Sequence, residues 1–195
     1  MADREAFLAR VRAAQPAHEP LPEVPLFEAP PGDLRERFCA ALKLMGGGEV
    51  EVRAADDVRA LILRRFGSEA RIASATPEVQ GTRDFNAATK PASLEDVDVG
   101  VVRARFGVAE TGSVWLSERE YVVNALGYIV QHLVVLLDPA RLVAGLQDAY
   151  RREDFRGARY AALVTGPSAT ADIEGVLIQG AQGVRSLTVV WLPPS

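Results

Sequence analysis

Two short turns carry the residues best placed by type and spacing to do chemistry. In Ala109-Glu110-Thr111-Gly112-Ser113 a carboxylate stands between an apolar segment and a strand-like run. Glu110 there can serve as a general base or nucleophile, making it the catalytic candidate; the competing assignment is a solvated turn residue, with Gly112 supplying a positive φ. The second turn begins Gly166-Pro167-Ser168 and continues through Thr170 and Asp172 to Glu174. Placed at the start of a helix, its backbone N–H groups would cradle a carboxylate or phosphate, with the Ser168 and Thr170 hydroxyls as extra donors. Asp172 and Glu174 already bring negative charge to that end, so they suit a cation or a substrate hydroxyl equally. Plain capping by Ser168 or Thr170, with Pro167 near the first helical position, accounts for the same residues. A full capping box is absent, because Ile173 stands three residues after Thr170. The substrate-binding candidates are therefore Thr111, Gly112, Gly166, Pro167, Ser168, Thr170, Asp172 and Glu174.

Other reactive types are few. The two histidines are His18, in a proline-rich stretch, and His132, at the head of an apolar strand. A Ser–His–Asp triad would have to use His132, and a hydrogen-bonded strand-edge histidine is the simpler role. Cys39 is the single cysteine. One thiol cannot form an intramolecular disulfide, and supplies too few thiolates for an iron–sulfur cluster or a Cys-rich zinc site. It lies with Phe38 and Leu42 on the apolar side of a helix, as a small hydrophobe. A carboxylate Mg²⁺ site stays open. Arg103 and Arg105, close in sequence to Glu110, can clamp a substrate carboxylate or simply be solvated. Trp115 and Trp191 sit in strands and read as core.

These residues must be positioned by an α/β framework. Residues 3–14 have a helical period, with Phe7, Leu8 and Val11 on one side. Residues 15–31 hold six of the twelve prolines and read as an extended arm. Asp33 caps a helix reaching Met45, which Gly46-Gly47-Gly48 stops; no Gly-Lys-Ser/Thr follows, so this is no phosphate loop. Strand 49–53, a helix from Val58 to Phe66 capped by Asp56, and strand 71–74 follow. Residues 75–96 form a long loop, either a binding loop or a surface connection. Strands are expected at 97–102, 113–116 and within 127–137, a helical turn or irregular segment at 103–108, and a helix at 139–150 with Pro139 at its start. Residues 159–193 read as strand, turn, helix, turn, strand: Ala161–Thr165, a helix ending near Gly180, then Ser186–Leu192. Such a unit joins parallel strands by a right-handed crossover, and it would place Thr165–Ser168 at a carboxyl end, where ligands of open α/β sheets bind. The expected organisation is an N-terminal helix and proline-rich arm over 1–32, and one α/β domain over 33–195.

The chain has 195 residues, 48% hydrophobic and 25% charged, with a formal net charge of −4, as for an ordinary globular protein. That charge argues against a dedicated nucleic-acid binder. No apolar run approaches the roughly 18–20 residues of a membrane span, and the N-terminal residues lack the apolar core of a signal peptide. The cytoplasm is the expected compartment.

The turn Gly166-Pro167-Ser168-x-Thr170-Ala171-Asp172-Ile173-Glu174 resembles the signature of the lactate-utilisation protein C family, the LUD domain. Ala109-Glu110-Thr111-Gly112-Ser113 is similar to that family's second signature, and His132-Leu133-Val134-Val135 to its histidine-led strand. The three blocks stand in family order across residues 95–192. The family's Gly-Val-His-Gly-Pro segment is replaced by Gly180-Ala181-Gln182-Gly183-Val184, so no role of that histidine or proline carries over. The resemblance implies a three-layer sandwich with a largely parallel sheet, as in ribose-5-phosphate isomerase and CoA-transferase-like proteins. It also implies a non-redox accessory role in bacterial oxidation of L-lactate to pyruvate. No cofactor is expected in this chain; iron–sulfur clusters would reside in partner proteins, and the chain itself would at most bind an organic acid. The alternative is a free-standing enzyme acting on an anionic phosphorylated, CoA-linked or folate-like metabolite, which rests on fold analogy.

Overall fold

The computed structural model describes residues 3–17, 19–20, 22–28, 30–171 and 175–192. Helix α1 (Arg4–Ala13) starts where the Asp3 carboxylate accepts the Glu5 N–H. None of its residues is buried, and Phe7 and Val11 face outward. The described residues of 15–31 form no helix or strand, as the prolines dictate. Asp33 then caps α2 (Leu34–Leu44) through the N–H groups of Arg35 and Glu36. Gly46, with φ of 80°, ends that helix.

Strand β1 (Gly48–Glu51) leads into α3 (Ala55–Phe66), which begins three residues before the expected Val58. The carboxylate that meets the backbone at its start belongs to Asp57, not Asp56, and accepts the N–H groups of Arg53 and Ala54. Then come β2 (Ile72–Ser74), β3 (Val99–Arg103), β4 (Phe106–Val108), β5 (Ser113–Ser117), α4 (Glu118–Tyr121) and β6 (His132–Leu137). The chain continues with β7 (Leu142–Val143), α5 (Leu146–Tyr150), α6 (Asp154–Gly157), β8 (Ala161–Val164), β9 (Ala169–Thr170), β10 (Ile178–Gln179) and β11 (Ser186–Trp191).

The main sheet is fully parallel, in the order β1-β11-β6-β3-β2. Alternation along its central strands sorts the core into two faces. Val99, Val101, Val134, Leu136 and Val190 pack on Val58 and Ile62 of α3. Leu133, Val135, Leu137, Val189 and Trp191 face Phe38 and Leu42 of α2, and Val114 and Leu116 of a second sheet. That second sheet has the order β7-β4-β5-β8 and covers its far side, through Phe106 and Trp115, with α5 and α6. The result is a layered α/β fold with helices flanking a largely parallel sheet, as expected.

Three local expectations are corrected. Residues 103–108 carry a strand, β4, because Phe106 and Val108 alternate about Gly107, where a Cβ would lie 2.8 Å from Leu142. Residues 139–150 are not one helix: Asp138 caps a single 3₁₀ turn at Pro139–Arg141, Leu142 and Val143 pair with β4, and Gly145 precedes the restart at Leu146. Where the sequence predicts a helix after Ser168, the described residues pair as an antiparallel hairpin instead. Ile178 pairs with Thr170 and Gln179 with Ala169, while Gly175 and Gly180 take φ of 67° and 69°. A short segment with glycine at both ends and β-branched residues between has little helical stability of its own. Asp172 and Glu174 lie outside the described residues. Nor are β8 and β11 parallel neighbours: β8 runs antiparallel to β5 in the second sheet.

Candidate functional site

The Ala109–Gly112 turn joins β4 to β5 and is pinned by Ala109 N–H to the Val143 carbonyl (2.9 Å) and Glu110 N–H to the Ala144 carbonyl (3.2 Å). Gly112 has φ of 63° and lies so close to α2 that a Cβ would come 2.2 Å from the Leu42 nitrogen. The glycine thus serves a helix contact as well as the turn. Thr111 donates its hydroxyl hydrogen bond to Ser113 at 2.8 Å. Glu110 is exposed, and its Oε2 accepts the Leu146 N–H at 2.9 Å. One carboxylate oxygen thereby fills an open donor at the start of α5. The same residue borders a cavity of about 540 Å³, together with Arg37, Asp148 and the arm residues Phe27 and Pro30.

The Gly166–Ser168 turn follows β8. Thr165 reaches across from its head, donating to the Gly112 carbonyl at 2.9 Å or the Thr111 carbonyl at 3.3 Å. Gly166 has φ of 61° and presses on the end of α2, where a Cβ would lie 2.1 Å from the Met45 carbonyl oxygen. Pro167 is buried. Ser168 N–H donates to the Val184 carbonyl (2.9 Å), and the Ser168 carbonyl accepts from Gly180 N–H (2.7 Å). This turn is therefore not a helix N-terminus, and one of the N–H groups an anion cradle would use is already committed. Thr170 stands in β9, half-buried. Val184, in place of the family's proline, is buried in the core, whereas Gln182 is exposed.

The two turns are thus neighbours, tied by Thr165 and seated on the end of α2. They adjoin the amino ends of β1, β11 and β6, opposite to the carboxyl ends expected for the second turn. A separate cavity of about 380 Å³ lies under the second turn, lined by Tyr128, Leu133, Val164, Pro167, Ser168 and Val184. It shares no lining residue with the Glu110 cavity. Tyr128 contacts the Tyr160 hydroxyl, and burial with that contact pushes its phenol up to about 12, so it remains protonated. Neither tyrosine stood out in the sequence. Their signal was only spacing from the two motifs, and a strand has to bring them together.

His132 is hydrogen-bonded as expected, but it stands at the first residue of an interior strand, β6, rather than at a sheet edge. Its Nδ1 lies 2.8 Å from the Ser186 Oγ, and its ring stacks on Phe66 with centroids 4.3 Å apart. Burial first, then the charges of Arg65 and Arg185, lower its pKa. His18 is outside the described residues. Cys39 is half-buried against the core, and burial raises its pKa. Trp115 and Trp191 are both core, as expected. Arg103 and Arg105 do not approach Glu110: they border another cavity, with Glu78 and Glu120. Among the described residues no group of histidine, cysteine and carboxylate side chains is disposed to hold a metal, and no helix is long and apolar enough to cross a membrane.

The crystal structure of a DUF162 family protein from Deinococcus radiodurans superposes with a TM-score of 0.60 over 81% of this chain and 95% of that one. At 16% identity, that likeness speaks for the fold. No curated protein matches the sequence significantly. The sequence profile of the LUD domain matches residues 80–192, spanning both signature turns and the His132 strand. By that match the chain belongs to the LUD-domain family, a family associated with lactate utilisation.

Proposed function

We propose that this protein is a non-redox accessory component of bacterial L-lactate utilisation, which docks onto iron–sulfur proteins that carry the electrons from lactate to their acceptor. The observation that carries the reading is the apolar surface beside the second signature turn. Val176, Leu177 and Ile178 are 59%, 62% and 40% exposed on the hairpin. Leu44, at 85%, and Met45 end α2 next to it, where a Cβ on Gly46 would lie 2.8 Å from the Gln179 side chain. Clustered exposed apolar side chains are characteristic of an interaction surface. The single cysteine agrees with electron carriers residing elsewhere.

The enzyme reading calls for one chamber joining the two turns, and their cavities are separate, which favours docking. In this reading the signature turns build the platform and the hairpin meets the partner. Affinity purification from the native organism, with iron and labile-sulfide analysis of the eluate, tests it. The wild-type chain is expected to retain an iron–sulfur protein. Val176→Asp with Leu177→Asp should reduce its recovery at least about tenfold, as expected for charge placed at an interface centre, while the melting temperature stays unchanged. Recovery of a lone, iron-free wild-type protein, with lactate oxidation unaffected by its removal, would sink the reading.

A further inference from the structure

The carboxyl ends of the parallel strands, where an α/β sheet usually binds its ligand, are not where the signature turns lie. Beyond β2, β3 and β6 instead opens a cavity of about 460 Å³. Ala75 and Thr76 leave β2 into its wall, Arg103 ends β3, and Asp138 follows β6. Four guanidinium groups border it, from Arg103, Arg105, Arg119 and Arg141. Three carboxylates, Glu78, Glu120 and Asp138, stand among them.

Arg103 is the anchored member. Its Nε pairs with Glu78, whose other oxygen accepts the hydroxyl of Thr76, and Thr76 is only 7% exposed. Its Nη1 donates to the Leu192 carbonyl at 3.0 Å. The remaining nitrogen, Nη2, is buried and meets no acceptor among the described residues. A guanidinium held on two edges with a third donor unmatched is preorganised for an incoming oxyanion, because leaving such a donor unsatisfied is unfavourable. Arg105 is held between Glu120 (3.3 Å) and Asp154 (3.7 Å). Arg141 touches Asp138 only loosely, at 3.9 Å, and Arg119 has no ion pair among the described residues. Arg119 donates only a long hydrogen bond to the Gly157 carbonyl, at 3.4 Å, so these two rim arginines are the least constrained of the four.

We propose that this cavity binds a small monocarboxylate metabolite, with Arg103 fixing the carboxylate and Arg119 and Arg141 closing over it. Among the lining groups, four positive against three negative leave a single net positive charge, and Asp154, which also meets Arg105, is offset by Arg152 at 2.7 Å; that balance matches a monoanion. A dianion or polyphosphate would meet the three carboxylates with its excess charge uncompensated. With Nε and Nη1 engaged, Arg103 offers Nη2 to one carboxylate oxygen, and the rim arginines are left for the other. The proposal is independent of the docking reading, because it concerns the opposite ends of the strands and is tested on the purified chain alone.

The test is calorimetric titration of the full chain with acetate, L-lactate and pyruvate, and in parallel with succinate and inorganic phosphate. At least one monocarboxylate is expected to saturate with a dissociation constant below about 10 mM, at least tenfold tighter than the dianions. Arg119→Gln with Arg141→Gln should weaken it at least tenfold without changing the ligand-free melting temperature. Arg103→Lys, which keeps the charge but loses the fork, should weaken it comparably. Amide NMR shifts should map to Thr76, Arg103 and Arg105. No saturable monocarboxylate binding, equal or tighter binding of phosphate, unaltered affinity in the rim variant, or shifts confined to Gly166–Thr170 would each overturn the proposal.

Discussion

Gly112 and Gly166 look in sequence like ordinary turn glycines, but each is also the point where a turn meets the backbone of α2. A side chain there would face a positive φ and an overlap with Leu42 or Met45 together. Gly112→Ala is expected to destabilise the fold by at least about 2 kcal/mol, read as a lowered urea midpoint at unchanged slope. Gly157, with open space around it and no positive φ, is the control, and its alanine variant should be near neutral. His132 gives a pH-dependent term. Its folded pKa lies below the free value, since burial and then Arg65 and Arg185 oppose its charge. The unfolded chain therefore binds the proton first as pH falls. The stabilisation is complete above about pH 6.5 and is lost as pH drops toward and through the lowered folded value. His132→Gln should flatten stability over that window in denaturation curves taken from neutral to mildly acidic pH. A wild-type protein whose stability rises on acidification there would contradict the sign.

At the scale of elements, Glu110 illustrates how a motif residue can be tied to a helix far away in sequence. Its Oε2 occupies the Leu146 N–H at the start of α5, while Asp148 Oδ2 accepts the N–H of Gly145 at 2.9 Å. Glu110→Ala is expected to lose about 0.5–2 kcal/mol, the usual range for a lost helix cap. Glu110→Gln should keep most of it, because an amide oxygen still accepts. Chemical denaturation of the two variants separates this role from a chemical one: lost activity in a stable Glu110→Gln protein would mark Glu110 as a reacting group. Helix α2 and the end of α3 were legible before the structure because their signals are local, with Asp33, the triple glycine and Gly67 marking them. The segment after Ser168 was not. Its Thr170, Asp172 and Glu174 satisfy helix-start rules, yet the described part pairs as β9 and β10 because Gly180 N–H returns to the Ser168 carbonyl and Gly183 closes against Ser168. No window of sequence contains that competition.

At the scale of the whole molecule, the two ends of the parallel strands carry different features. The amino ends carry the family's turns and the apolar hairpin, and the carboxyl ends carry the arginine-bordered cavity. Helix α1 belongs to neither, as it buries none of its residues. Removing the chain before Pro16 should therefore move the melting temperature by less than about 2 °C, since 1 kcal/mol shifts a protein of this size by roughly 2–4 °C. A larger drop would show that α1 packs on a second copy or on the body. Sequence alone determined the α/β class, the strands of the main sheet, both ends of α2 and the last residue of α3, the core tryptophans, and the family, since period, capping and short motifs are local properties. Only the tertiary structure decided that β8 joins a second sheet, that both signature turns rest on α2, and that Arg103 and Arg105 face away from Glu110. Those outcomes depend on which strand pairs with which. Pairing is set by contacts between residues far apart in the chain, and the same local pattern is compatible with several partners.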